Sequence, residues 1–71
     1  MQRIPVSSSN IRSVGYESVS QTLEVEFNNG GVYQYYGVSE SRYSGLMSAG
    51  SKGSYFDSYI KKAGYRCSKI R

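Results

Sequence analysis

The clearest pattern in the chain is Leu23-Glu24-Val25-Glu26-Phe27, where apolar and acidic residues alternate without a break. A period of two marks a half-buried strand, because successive side chains of a strand point to opposite faces of its sheet. Asn28-Asn29-Gly30-Gly31 follows, and Asn and Gly are the residues that accept the positive φ of tight turns. Val32-Tyr33-Gln34-Tyr35-Tyr36 then reads as the return strand of a β-hairpin. Register decides which tyrosines face the core, since a slip of one residue swaps the faces. A two-residue Asn29-Gly30 turn would set Phe27 opposite Val32. A three-residue loop with a bulge at Gly30 would set Val25 opposite Tyr33 and Leu23 opposite Tyr35. The bulged form is favoured, because it joins two tyrosines to the only unbroken apolar face of the hairpin. Upstream, Ile11 to Glu17 gives another strand, in which Val14 and Tyr16 alternate but Ile11 falls on the other parity.

After Gly37 the period lengthens. Ser39 can cap a helix whose apolar Tyr43, Leu46 and Met47 stand at i, i+3 and i+4. Gly45 weakens that helix by about 1 kcal/mol relative to alanine, and Gly50 is placed to end it. Ser54 is the expected cap of a second helix, with Phe56, Tyr59, Ile60 and Ala63 on one face. Asp57 and Lys61 would pair across one turn of its exposed side, and Gly64 would end it. The predicted fold is α+β. A three-stranded antiparallel meander at about 11–17, 22–27 and 32–36 precedes two helices at about 40–49 and 54–63. The helices pack on one sheet face through Leu46, Met47, Phe56 and Ile60, against Leu23, Val25 and Phe27. Residues 1–71 form one domain, with 1–10 and 65–71 read as partly flexible.

A chain of 71 residues is near the lower limit for an unaided core, burying only about 60% of the surface its unfolded form exposes. Cys67 is the only cysteine and there is no histidine. No disulfide can close within the chain, and a structural zinc site lacks its usual ligands. Stability must come from apolar packing or self-association. One cysteine fits a reducing compartment. Met1 to Val6 holds no apolar run of the signal-peptide kind, and no stretch approaches the about 18 apolar residues of a membrane span. The cytoplasm is the expected location, with no cofactor, metal or membrane partner.

Charge is unevenly placed. Arg3, Arg12 and Arg42 face Glu17, Glu24, Glu26 and Glu40 in residues 1–51, a net −1. Lys52, Lys61, Lys62, Arg66, Lys69 and Arg71 face only Asp57 beyond them, a net +5. A basic C-terminal third beside a near-neutral remainder points to an anionic partner, although a solvated helix face with a basic tail would look the same. Enzyme chemistry is disfavoured by inventory, since the absence of histidine removes the imidazole base of Ser-His and Cys-His pairs. Glu24 and Glu26, beside two core positions, read as solvated residues of the outer sheet face.

Gly50-Ser51-Lys52-Gly53-Ser54 lacks the residue order and preceding strand of a phosphate loop. Its Ser51, Lys52, Gly53 and Ser54 could still hold an anion through backbone N–H groups at a helix start and the lysine. The plainer reading, which the residues favour, is an inter-helix turn in which Gly53 supplies a positive φ or a close approach. Eight tyrosines stand beside two phenylalanines and no tryptophan. Exposed aromatics next to cations make stacking platforms for single-stranded nucleic acid. Tyr33 and Tyr35 are better read as amphipathic core residues. Tyr36, Tyr55 and Tyr65 are open to either reading.

Ser8-Ser9-x-Ile11, Gly15-Tyr16, Leu23-x-Val25-x-Phe27, Gly31-x-Tyr33-x-Tyr35 and Ala49-x-Ser51-Lys52-Gly53-x-Tyr55-Phe56 stand in this order over nearly the whole chain. Together they resemble the KTSC domain, a short family named for its occurrence at the C-terminus of some lysyl-tRNA synthetases. It also occurs as a free-standing bacterial or phage-borne protein. Where the family commonly has proline after Val38, this chain has Ser39, and a serine cap serves the same place. The resemblance implies a non-enzymatic domain for which RNA binding has been suggested, with Tyr33, Tyr35 and Phe56 as structural motif residues and no catalytic residues.

Two functions are expected. One is an RNA-binding module using Lys52, Lys62, Arg66 and Lys69, with Tyr55 or Tyr65 stacking on bases; Lys61, neutralised by Asp57, would matter less. The other is a protein-interaction or self-associating module using a Tyr-rich sheet face.

Overall fold

In the computed structural model, which describes residues 1–71, the alternating segments form three strands with the predicted bounds. They are β2 (Ile11–Glu17), β3 (Thr22–Phe27) and β4 (Val32–Tyr36), flanked by β1 (Ile4–Pro5) and β5 (Arg66–Lys69). Leu23 lies opposite Tyr35 and Val25 opposite Tyr33, the register of the bulged turn. Gly30 takes φ +92 in that turn, and the Asn29 side chain accepts from the Gly31 N–H at 2.9 Å. The parity conflict at Ile11 is resolved by a bulge. Register shifts between Ile11 and Ser13, leaving Arg12 as the extra residue. Both Ile11 and Val14 can then face inward, at 1% and 0% exposure.

The expected three-strand meander is therefore the centre of a five-stranded antiparallel sheet in chain order. Both ends read as flexible are pairing partners. Ile4 and Pro5 pair with Val14 and Ser13, and Pro5 is tolerated because an edge strand need not donate on its solvent side. Gly64, at φ +86, returns the chain so that β5 pairs with the free edge of β4. The docking continues to the last residue, whose carbonyl accepts from the Val32 N–H at 2.9 Å. Neither strand has an apolar alternation, since main-chain bonds hold them and every β5 side chain is exposed.

Helix α1 (Glu40–Ser48) starts at Ser39, whose hydroxyl accepts from the Arg42 N–H. It ends at an extended Ala49, and Gly50 is not among the residues of positive φ. Helix α2 (Lys52–Tyr59) begins earlier than expected, because Ser51 and not Ser54 is the cap. The Ser51 hydroxyl accepts from the Ser54 N–H at 3.3 Å. Helix α2 also stops early, and Lys61–Ala63 continue as a tighter 3₁₀ turn. That change of winding alters the charge pairing. Asp57 meets Lys62 at 3.2 Å in place of the expected Lys61. It also leaves Tyr59 and Ala63 exposed and not on a buried face.

Both helices cover the face formed by Leu23, Val25 and Phe27, as the pattern predicts. Leu46, Phe56 and Ile60 are buried there with Ile11, Val14 and Val38, and Met47 packs at the margin. Phe56 meets Phe27 and Tyr35 edge-to-face, each at 5.4 Å between ring centres. Burial pushes the Tyr35 hydroxyl up to about 12.

The opposite face corrects the reading of its acids. Glu24 is 6% exposed and not solvated. Gly15 lies opposite it, and the Arg3 side chain passes over Gly15 to bond the Glu24 carboxylate. A Cβ at Gly15 would come within 2.8 Å of the Gln2 carbonyl and 3.1 Å of Arg3 Cγ. Gln34 Nε2 donates to the other Glu24 oxygen at 2.8 Å. Ser13 accepts from Arg3 at 3.0 Å and donates to Glu26 at 2.8 Å. Burial, the largest influence on Glu24, pushes its carboxyl up, but the bonds from Gln34 and Arg3 and the Arg3 charge outweigh it. The net position is below the ordinary value of 4.5.

Glu24 therefore adds stability that is complete above that value and is lost as pH falls through the lower folded one. Arg3→Ala is expected to cost about 1–3 kcal/mol in urea unfolding at neutral pH. It should also flatten the fall of stability as pH drops below 4.5. An unchanged curve would show that Arg3 does not keep this carboxylate charged. Gly15→Ala should reproduce the loss by displacing the same side chain.

Candidate functional site

The expected binding residues are spread over several parts of the fold. At the corner between the helices, Tyr55 lies against α1 at Gly45, and its ring centre is 4.7 Å from that of Tyr59. Arg42, which the sequence reading passed over, stands 4.9 Å above the Tyr59 ring and donates to the Tyr55 hydroxyl at 3.3 Å. Hydrogen bonding to Tyr55 and Tyr65 holds its guanidinium above the ordinary value. One helical cation followed by tyrosines at 13, 17 and 23 residues' distance has no local signature, so only packing could reveal the group.

The turn preceding α2 is largely occupied with its own structure. The Ser51 hydroxyl holds the Ser54 N–H, and Lys52 Nζ donates to the Ala49 carbonyl at 3.2 Å, closing α1. Gly53 does not have positive φ. It serves a close approach, since a Cβ there would lie 2.6 Å from Asn10 Oδ1. Lys62 is tied to Asp57, a pair exposed enough to contribute little. Arg66 and Lys69 part company on β5. Arg66 lies opposite Tyr36 on the outer face, and Lys69 opposite Tyr33 on the helix side. Lys52, Lys62, Arg66 and Lys69 are thus not brought onto one surface.

Cations do converge at the tip of the β3–β4 hairpin. Arg12, at the bulge, donates to the Asn28 carbonyl at 3.2 Å. Lys69 and Arg71, brought in by β5, border a hollow with Asn29, Gly30, Gly31 and Tyr33. On the other side of Tyr33 a groove of about 320 Å³ opens between the hairpin and α2. Phe27, Tyr33, Tyr35 and Phe56 wall it, and Asp57 and Lys61 stand at its margin. The side chains of Lys61 and Lys69 make no hydrogen bond or ion pair within the chain. Tyr33 and Tyr35 do point to the helix side, so the tyrosine-rich sheet face is the covered one. On the outer face only Tyr36 is left, 37% exposed.

Gly45 has a reason that helix propensity hides. A Cβ there would lie 2.2 Å from the Tyr55 hydroxyl oxygen and 2.8 Å from Cζ. Gly45→Ala should therefore lower the melting temperature despite the gain of about 1 kcal/mol that alanine brings to a helix. Adding Tyr55→Phe, which removes the nearest atom, should restore part of the loss. A higher melting temperature for the single variant would show that Tyr55 is free to move aside.

The KTSC domain family model matches residues 7–65. The chain is 48% identical to a KTSC domain protein of Yersinia pestis known from its crystal structure. The two superpose with a TM-score of 0.93, over 99% of this chain and 97% of that one. An uncharacterized protein of Stutzerimonas stutzeri (strain A1501) is 39% identical over 70 residues, covering 99% of both chains. A lysine–tRNA ligase of Nostoc punctiforme is 43% identical over 51 residues, which is 72% of this chain but 9% of the ligase. No helix of this chain is long and apolar enough to cross a membrane. The matched residues cover the hairpin, both helices and the joint between them, and the chain belongs to the KTSC domain family.

Proposed function

We propose that the domain is a non-enzymatic module that binds single-stranded RNA in the cytoplasm, using the hairpin tip as its principal contact surface. The observation that carries this reading is the gathering of cations at the hairpin tip: Lys61 on the aromatic-walled groove, Lys69 and Arg71 on the adjoining hollow, and Arg12 at the Asn28 carbonyl. Glu26 and Asp57 are the acids near it, and each already has a partner, Arg3 and Arg71 for the first and Lys62 for the second. Basic side chains beside aromatic rings are the combination that holds a single strand, the cations tracking phosphates and the rings accepting bases. Of the residues expected from sequence, Lys69 takes part directly. Lys52, Lys62 and Arg66 add positive field from other parts of the surface, where charge steers an anionic partner without touching it. Tyr55 and Tyr65, engaged with Arg42, then serve chiefly to fix the helix corner.

Phosphate contacts by three or four cations should give log affinity a slope of about −2 to −3 against log salt. The test is fluorescence anisotropy of a labelled RNA 12-mer at several salt concentrations. Charge reversal at Lys61 and Lys69 together should abolish binding, while reversal at Lys52 and Lys62 should weaken it only moderately. No saturable binding at low salt would defeat the RNA reading. Equal or tighter binding of the same sequence as DNA would defeat its RNA part.

A further inference from the structure

We infer that the groove between the hairpin and α2 is a pocket for one unpaired nucleotide, its base against Tyr33 and its flanking phosphates on Lys61 and Lys69. The inference rests on the RNA reading above and names the subsite within it. Three features of the groove support it. Its volume of about 320 Å³ lies at the bottom of the range of ligand-sized clefts, about 300–1,000 Å³. That suits a single nucleoside and is too small for a base pair with its backbone. Its walls are aromatic: Phe27 meets Tyr33 edge-to-face at 5.8 Å and Phe56 at 5.4 Å. Such walls favour a planar ring over a branched aliphatic group.

The third feature is the position of the charge. Tyr33 and Asn29 border both the groove and the neighbouring hollow, so the two depressions run together across the hairpin tip. Lys61 stands on the groove side and Lys69 with Arg71 on the hollow side. A strand crossing the tip therefore meets a cation before Tyr33 and another after it. The amides of Asn10 and Asn29 at the groove margin offer both donors and acceptors to a base edge. Such mixed groups accept any base in some orientation, so stacking area governs preference and adenine is held better than uracil.

The test pairs a labelled A₈ RNA with AMP as a single-nucleotide probe, on the intact protein. AMP should shift the amide NMR signals of Asn29, Tyr33 and Phe56 more than those of Tyr59 or Arg42. Tyr33→Leu should weaken A₈ binding about tenfold, the scale of one lost stacking contact. Tyr33→Phe should retain it, and Tyr59→Leu should have no effect. Lys61→Glu, on an exposed side chain, gives a readout independent of core packing and should also weaken binding. U₈ should bind more weakly than A₈. If A₈ binds but the Tyr33 and Lys61 variants are unaffected, the nucleotide pocket is wrong and the RNA reading stands. If A₈ does not bind the native protein at low salt, the RNA reading itself falls and takes the pocket with it.

Discussion

The pairing of Leu23 with Tyr35 and Val25 with Tyr33 governs most of what this small domain can do. Side chains alternate between faces along a strand, so one register assigns every residue of β3 and β4 at once. In this register the apolar residues of β3 and two tyrosines form one face, and Glu24, Glu26 and Gln34 form the other. A slip of one residue would carry both tyrosines to the side of the acids and leave Phe56 without its edge-to-face partner Tyr35. The register also puts Tyr33 at the hairpin tip and Tyr35 under the helices. Two residues of the same kind, two positions apart, thus both border the surface depression, Tyr33 as a half-buried wall and Tyr35 as a buried core ring.

The second consequence of the register is a polar face that cannot remain bare. Glu24 is flanked by Gly15 on one side and Gln34 on the other. A carboxylate buried there would be costly without partners. Gln34 supplies one bond, and the N-terminal segment supplies Arg3, which lies low over the sheet only because Gly15 has no side chain. A chain with a single cysteine and no cluster of metal-ligating side chains thereby recruits the residues before β2 into the fold. A glycine that looks like a weak point within a strand is the place where the network closes.

Much of this was legible in the sequence because it follows from periodicity. The three central strands, the bulged register, the Ser39 cap and the packing of Leu46, Phe56 and Ile60 all arise from local pattern and face matching. What the pattern could not show is held by other forces. Strands β1 and β5 exist through main-chain pairing, and Pro5 or Ser68 gives no hint of it. The start of α2 was misplaced because Ser51 and Ser54 both satisfy a cap by residue type, and the choice between them depends on how the chain leaves α1. The tighter turn after Tyr59 has no marker either, yet it decides whether Lys61 or Lys62 meets Asp57. For the candidate site the pattern carried charge but little geometry. The excess of cations was visible, but the return of β5 that carries Lys69 and Arg71 to the hairpin tip was not.

That return explains how a net charge of only +4 can still give a localised field. Glu24 and Glu26 are drawn into the outer-face network. Glu17 and Glu40 lie at the opposite end of the sheet, where they reinforce the effect of burial in raising the Tyr16 hydroxyl. Asp57, at the groove margin, is shared with Lys62. The acids are thus either compensated or remote from the tip, whereas Lys61 and Lys69 have no internal partner. Screening in physiological salt acts over about 8 Å, so a partner at the hairpin tip feels these nearby cations more than the distant acids. What an anionic ligand meets is set by how the fold distributes and pairs its charges, and the sum over the sequence is a poor guide to it.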